Sequence, residues 1–209
     1  MDGISTTLIL IAVTCVASLL AFGNPRLLGR LILWPPAITR GREYWRLLSY
    51  GFVHADGSHL LFNMFTLYFF GRAMERFVDS YLGTGGFVFF YLSALLASIL
   101  PSYLRHRDDP KYLSLGASGA VAAVLFAFIV LRPWAMILVF VIPMPAIVFA
   151  ALYLGYTIWM EHRAARTDKV NHSAHLSGAI YGVLFMVLME PRVLAAFVQA
   201  LAHPSFGAG

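Results

Sequence analysis

Charge is scarce in this chain. Of its 209 residues 12% are charged and 60% are apolar, whereas a soluble domain of this length carries about a quarter charged residues and about half apolar ones. The surplus apolar material lies in runs long enough for membrane helices, which need about 20 residues each. The runs lack the apolar/polar alternation of a membrane β-barrel, and backbone groups in lipid must be satisfied internally, so helices are the remaining solution. Cysteine is nearly absent: Cys15 stands alone inside the first apolar run, which excludes an intrachain disulfide. No internal repeat, low-complexity segment or nucleic-acid-binding module is present, and no His-Glu-x-x-His stretch offers a zinc-protease site. Basic residues are missing before the first run, where only Asp2 is charged. The positive start of a cleaved signal peptide is therefore lacking, and the run reads as a retained helix.

What is present organises into one all-α polytopic domain over residues 1–209, with six membrane helices expected near 4–22, 59–79, 87–104, 118–131, 145–160 and 172–189. The connection 23–58 carries Pro25, Pro35, Pro36 and five arginines, but also Leu27, Leu28, Leu31, Ile32, Leu33 and Trp34. It is too apolar for a disordered linker and is expected to fold against the membrane surface. Pro143 and Pro145 break the apolar stretch after Arg132, and 161–170 reads as a polar loop. The fourth helix is the informative one. From Ser118 to Arg132 it spans only about 21 Å at about 1.5 Å per residue, against a hydrocarbon thickness of about 30 Å. With Arg132 at one interface, Ser118 lies inside the membrane, and the non-helical stretch Leu113 to Ala117 must line a polar cavity.

Polar side chains at membrane depth are costly to bury and point to function. His59 and Asn63, four apart, share one face of the second helix. Gly116-Ala117-Ser118-Gly119 opens the fourth helix and Ala174-His175-Leu176-Ser177-Gly178 the sixth, while His54 stands five residues before His59. Each alone has a bland reading: Gly-Ala-Ser-Gly as a helix-packing motif, a lone histidine as an interfacial residue, Asn63 as interhelical glue. Together they supply the parts for peptide hydrolysis: a nucleophile at a helix N-terminus, a base that titrates near neutral pH, and hydrogen-bond donors for an oxyanion. No acidic residue adjoins His175, Asp168 being seven positions away, so a Ser–His pair without a third carboxylate is expected. Gly119, Ala123 and Ala127 form a small-residue stripe, and Gly178 and Gly182 form another. Two such faces can bring the fourth and sixth helices together with Ser118 and His175 at the same end.

His59-x-x-x-Asn63, Gly116-x-Ser118-Gly119 and Ala174-His175-x-x-Gly178-x-x-x-Gly182, in this order and on these helices, resemble the signature of the rhomboid intramembrane proteases. Trp45-Arg46, His54, and Gly71 followed by Glu75 extend the likeness, which covers about residues 44–186. The resemblance implies Ser118 as nucleophile and His175 as base. It also implies an oxyanion hole of His59, Asn63 and the Ser118 backbone N–H, with no metal or cofactor. Trp45, Arg46, His54, Glu75, Gly116, Gly119, Gly178 and Gly182 would give structural support, the Pro143/Pro145 segment and the next helix a substrate gate, and 161–170 a cap loop. Many family members carry an aromatic residue four positions after the serine, packed on the base. Here that residue is Ala122, and Phe126, Phe128 or a closer approach of the two helices would have to compensate.

The implied partners are transmembrane protein substrates and membrane lipids, and the implied location is a bacterial inner membrane. Helix-weakening Gly or Pro should favour a cut, because helical hydrogen bonds cover each carbonyl, and the resemblance adds a small side chain beside the scissile bond. A non-proteolytic relative that binds membrane clients is the main alternative. A transporter, or a zinc site from His54, His59, His172 and His175, has less support. Orientation is contested. With the amino terminus inside, as the resemblance implies, 11 of the 15 Lys and Arg fall in outside loops, leaving Arg72, Arg76, Arg132 and Arg192 for the cytoplasm, against the positive-inside tendency. Five of the 11 belong to the folded first connection, which weakens the charge argument.

Overall fold

The computed structural model describes residues 5–139, 141–163 and 170–204. Helix α1 (Thr6–Phe22) leads into a connection built from α2 (Pro25–Leu31), α3 (Pro35–Thr39), α4 (Arg46–Ser49) and a 3₁₀ turn at Tyr50–Phe52. Helices α5 (Gly57–Thr66) and α6 (Arg72–Leu82) run on through a π turn at Leu67–Gly71. After them come α7 (Gly86–Arg105), α8 (Ser118–Leu131), strands β1 (Met136–Val139) and β2 (Ile142–Pro145), α9 (Ala146–Arg163), α10 (His172–Met189) and α11 (Arg192–Ala202). The described residues of the six expected ranges are helical apart from Ser5 and Pro145. By length and composition alone, α7 and α10 can each cross a membrane, while α1, α8 and α11 are apolar but shorter.

Helix α8 is the axis of the fold. Eleven of its fourteen residues are buried, and a helix that is apolar on every side belongs at the centre of a bundle. Helices α7 and α10 pack along it, α9 leans on α10 and α8, and α11 returns against α8. The small-residue stripes meet as expected: Gly178 lies directly on the Gly119 carbonyl and Gly182 on that of Ala123. The first connection is folded, with Leu33, Ile38 and Val53 fully buried. It also supplies partners for the non-helical stretch before Ser118. Leu33 and Ser114 exchange both backbone hydrogen bonds, and the Gly116 N–H donates to the Tyr50 carbonyl at 2.9 Å.

Two expectations need correction. The fold is not purely helical, because β1 and β2 form an antiparallel hairpin with Met136 opposite Pro145 and Leu138 opposite Pro143. Two prolines without N–H groups prevent a helix here and are tolerated in so small a sheet because both its strands are edges. Next, α9 continues through Arg163, so the polar loop begins later than Glu161, and the remainder of the expected cap loop, 164–169, lies outside the described residues. Helix α10 ends at Met189, just before Glu190-Pro191, and a further short helix follows. Pro191 precedes α11, which is anchored where the Trp134 indole donates to the Ala200 carbonyl at 2.8 Å; proline is favoured at helix starts.

Candidate active site

The start of α8 is held from the first connection. His54, fully buried, accepts the Ala117 N–H at its Nε2 (3.3 Å), and its Nδ1 lies 3.0 Å from the Ser18 hydroxyl. Accepting at Nε2 places the ring proton on Nδ1, so His54 donates to Ser18, which in turn donates to the Phe52 carbonyl at 3.1 Å. The imidazole thereby ties α1 to the residue immediately before Ser118. Gly116 adopts φ +112°, and a Cβ there would run into the His59 ring; only glycine satisfies both conditions.

The supporting residues each have a distinct job. Arg46 is buried, pairs with Glu43, and donates to the Gly29 and Ile32 carbonyls at 2.8 and 2.7 Å. It thus closes α2 onto α4. Trp45 is exposed, with its indole N–H 3.4 Å from the Arg30 carbonyl. Glu75 reaches across to α1, where it accepts from the Ser5 hydroxyl and from the Thr6 and Thr7 N–H groups. These N–H groups have no partner within the helix, so Glu75 caps α1 from another element. Gly71, one turn earlier, leaves room for Thr7.

Ser118 is the first residue of α8, and its Oγ lies 2.7 Å from His175 Nε2. His175 sits in the first turn of α10, whose start is fixed by Asn171. The Asn171 side chain accepts the Ala174 N–H and donates to the Tyr112 and Ser114 hydroxyls. Both residues open on a cavity of about 860 Å³ whose lining includes His59, Asn63, Ser118, Ala122, Tyr153 and His175. Asp56 caps α5 by accepting the His59 N–H at 2.8 Å, which starts the helix at Gly57, two residues before the expected point. One Asn63 amide proton is spent on the His59 carbonyl at 2.9 Å. An amide carries two, so the second is free of that bond. Among the described residues no group of three His, Cys, Asp or Glu side chains is placed to hold a metal; His54 faces His59 and His172 faces His175 in pairs.

Two residues at this site escaped the sequence reading. Asn171 carried a usable signal, an asparagine immediately before a predicted helix start. Tyr153 did not: nothing in the sequence says which face of α9 turns to His175, yet its ring stacks on that imidazole with centroids 6.1 Å apart and planes 23° off parallel. Phe126 packs on Tyr153 instead, and Phe128 on Phe70.

The helical bundle thus sets a serine and a histidine within hydrogen-bonding distance beside one cavity. The Rhomboid domain model matches residues 41–192, and the chain belongs to the rhomboid family, whose members are embedded in membranes. Rhomboid-related protein 1 of Caenorhabditis elegans is 34% identical over 146 residues, covering 68% of this chain and 39% of that protein. Rhomboid protein 1 of Saccharomyces cerevisiae, a mitochondrial protein, is 33% identical over 143 residues, 66% of this chain and 40% of its own length. Rhomboid protease GluP of Bacillus subtilis is 31% identical over 161 residues, 76% of this chain and 29% of that protein. The aligned part of the chain thus spans about two fifths of the first two relatives. Because organellar and bacterial proteins match alike, a bacterial inner membrane is not singled out.

Proposed function

We propose that the chain is an intramembrane serine endopeptidase that cuts membrane proteins in or near their transmembrane segments. Ser118 is the nucleophile and His175 the base. The observation that carries this reading is the 2.7 Å Ser118–His175 hydrogen bond inside the cavity, supported by relatives named as proteases. The helix start at Ser118 leaves its first backbone N–H groups without helical partners, and His59 and Asn63 line the same cavity, so all three are available to donate to an oxyanion formed there. Six helices cross the membrane in this reading. Helix α8, at 14 residues, is too short to reach both faces, which sets Ser118 below the surface. Phe62 and Thr66 of α5 and Phe149 and Tyr153 of α9 line the cavity, and a substrate helix would enter between these two helices. The test is co-expression with a panel of single-span membrane proteins carrying Gly or Pro in the span. Cleavage by the wild type but not by Ser118→Ala supports the reading. Binding without cleavage would instead favour a non-proteolytic client-binding protein.

Asn63→Ala should lower kcat by about 10²-fold, roughly 3 kcal/mol of barrier, with KM little changed, because the donor is needed most when charge develops on the carbonyl oxygen. Steady-state kinetics on purified protein separate the two parameters. Unchanged kcat with raised KM would make Asn63 a binding or structural residue.

Orientation follows from the same proposal. With the amino terminus inside, the end of α9 at Arg163 and the start of α10 at His172 face outward. Helix α11 has 11 residues, about 17 Å, too short to cross, and so remains on the cytoplasmic side. A reporter active only outside the cytoplasm should give signal when inserted after Asp168 and none when fused at Gly209. Signal from Gly209 alone would reverse the topology.

A further inference from the structure

Ala122 is buried and carries no ring, so α8 does not furnish the aromatic face expected beside His175. The face comes from α9. Tyr153 stacks on the His175 imidazole (6.1 Å, 23°), while His172 meets the same ring at its edge (6.2 Å, 75°). Both separations lie in the range of favourable aromatic pairs, about 4.5–7 Å. Tyr153 is itself held between Phe126 of α8 and Phe149 of its own helix, each with ring centroids 5.6 Å away. Ala122 precedes Phe126 by one turn and lines the same cavity as Tyr153.

The hydrogen bond to Ser118 requires one orientation of the imidazole, and histidine has two side-chain torsions to fix. Accepting from Ser118 constrains Nε2 alone; a ring against the face removes the remaining freedom. Resting on the proposal that Ser118 and His175 hydrolyse peptide bonds, we infer that Tyr153 is a positioning residue, holding His175 toward Ser118 from α9 in place of an aromatic side chain at 122. This has a structural consequence. Helix α9 is the lightly buried wall of the cavity, with only Ala146, Ala150 and Thr157 buried among its described residues, so the base is oriented by the helix that lines the entrance and not by the central α8.

The test compares Tyr153→Phe, Tyr153→Leu and the pair Ala122→Tyr/Tyr153→Leu with the wild type. Tyr153→Phe keeps the ring and should cleave within about two-fold of wild type. Tyr153→Leu should lower kcat and the rate of fluorophosphonate labelling of Ser118 by about 10–100-fold with KM little changed, since a misplacement near 1 Å costs up to about 10²-fold. The pair should recover most of the loss by supplying a ring from α8. In a Ser118→Ala background, histidine NMR should show the His175 ring protons moved upfield by the stacked ring, unchanged in Tyr153→Phe and relieved in Tyr153→Leu. Wild-type kcat in Tyr153→Leu, equal losses in Tyr153→Phe and Tyr153→Leu, or ring protons that do not move would each overturn the inference. A wild type that neither cleaves nor labels would overturn the protease reading, and the NMR comparison would still report whether Tyr153 holds the ring.

Discussion

Ser118→Ala and His175→Ala should each bring cleavage down to the buffer blank while leaving the protein folded. Removing either member of a nucleophile–base pair in serine hydrolases costs about 10⁴–10⁶-fold in turnover, and removing both costs little more, because the two act as one unit. Here the unit is a single hydrogen bond between the first turns of α8 and α10. Neither side chain anchors its helix. Asn171 fixes the α10 start, and the His54–Ala117 bond with the Leu33–Ser114 pairing fixes the stretch that leads into α8. Losing the Ser118 hydroxyl therefore costs about 1 kcal/mol of folding stability, small beside the packing along α8. A fluorophosphonate should label wild-type protein at Ser118, fail on Ser118→Ala, and label His175→Ala far more slowly, because the hydroxyl then has no base. Turnover by purified Ser118→Ala above the blank would remove the proposed nucleophile. A wild type that binds membrane clients but never cleaves or labels would shift the function to client binding.

The central part of this architecture was legible because strong, local physical signals set it. The fourth helix could be bounded at Ser118 and Leu131 because small residues and glycine open it and Arg132-Pro133 closes it, and α8 occupies that range. The glycine and alanine spacings on α8 and α10 announced a close helix crossing, and Gly178 and Gly182 make it. That crossing, more than any single motif, brings Ser118 to His175. His54 was legible as a polar residue worth explaining, but its partners Ser18 and Ala117 lie 36 and 63 positions away, and no spacing rule reaches so far. Tyr153 failed for a different reason. Helix α9 is apolar on most sides, so periodicity could not select the face that turns to His175, and Phe126 and Phe128 were nearer to Ala122 in sequence while facing other rings. The hairpin at Met136–Pro145 was hidden because a short apolar run with two prolines excludes a helix without specifying what replaces it.

Gly178→Ala should be the most damaging of the conservative substitutions, and its effect should divide into stability and rate in a way that Gly182→Ala does not share. A Cβ at Gly178 would fall well inside contact distance of the Gly119 carbonyl, and one at Gly182 inside that of Ala123. In both cases the obstacle is backbone of the facing helix, which has no rotamer to change, so α8 and α10 must separate by on the order of 1 Å to restore normal contact. Overpacking of this kind costs about 1–3 kcal/mol, and both variants should unfold several degrees lower in detergent. The rates should differ. Gly178 faces Gly119, the neighbour of Ser118, and lies one turn below His175, so separation there stretches the Ser118–His175 hydrogen bond directly. A displacement near 1 Å at the reacting groups costs up to about 10²-fold, and fluorophosphonate labelling of Gly178→Ala should fall by that order. Gly182 acts one turn further along, about 6 Å away, where the helices can splay about the intact Gly119–Gly178 contact, and labelling should fall less than ten-fold. Thermal unfolding and labelling rates on the two purified variants decide the matter. Wild-type stability and labelling in Gly178→Ala would mean that the two helices do not approach as closely as this contact requires, and equal rate losses in both variants would mean that separation anywhere along the crossing reaches the site.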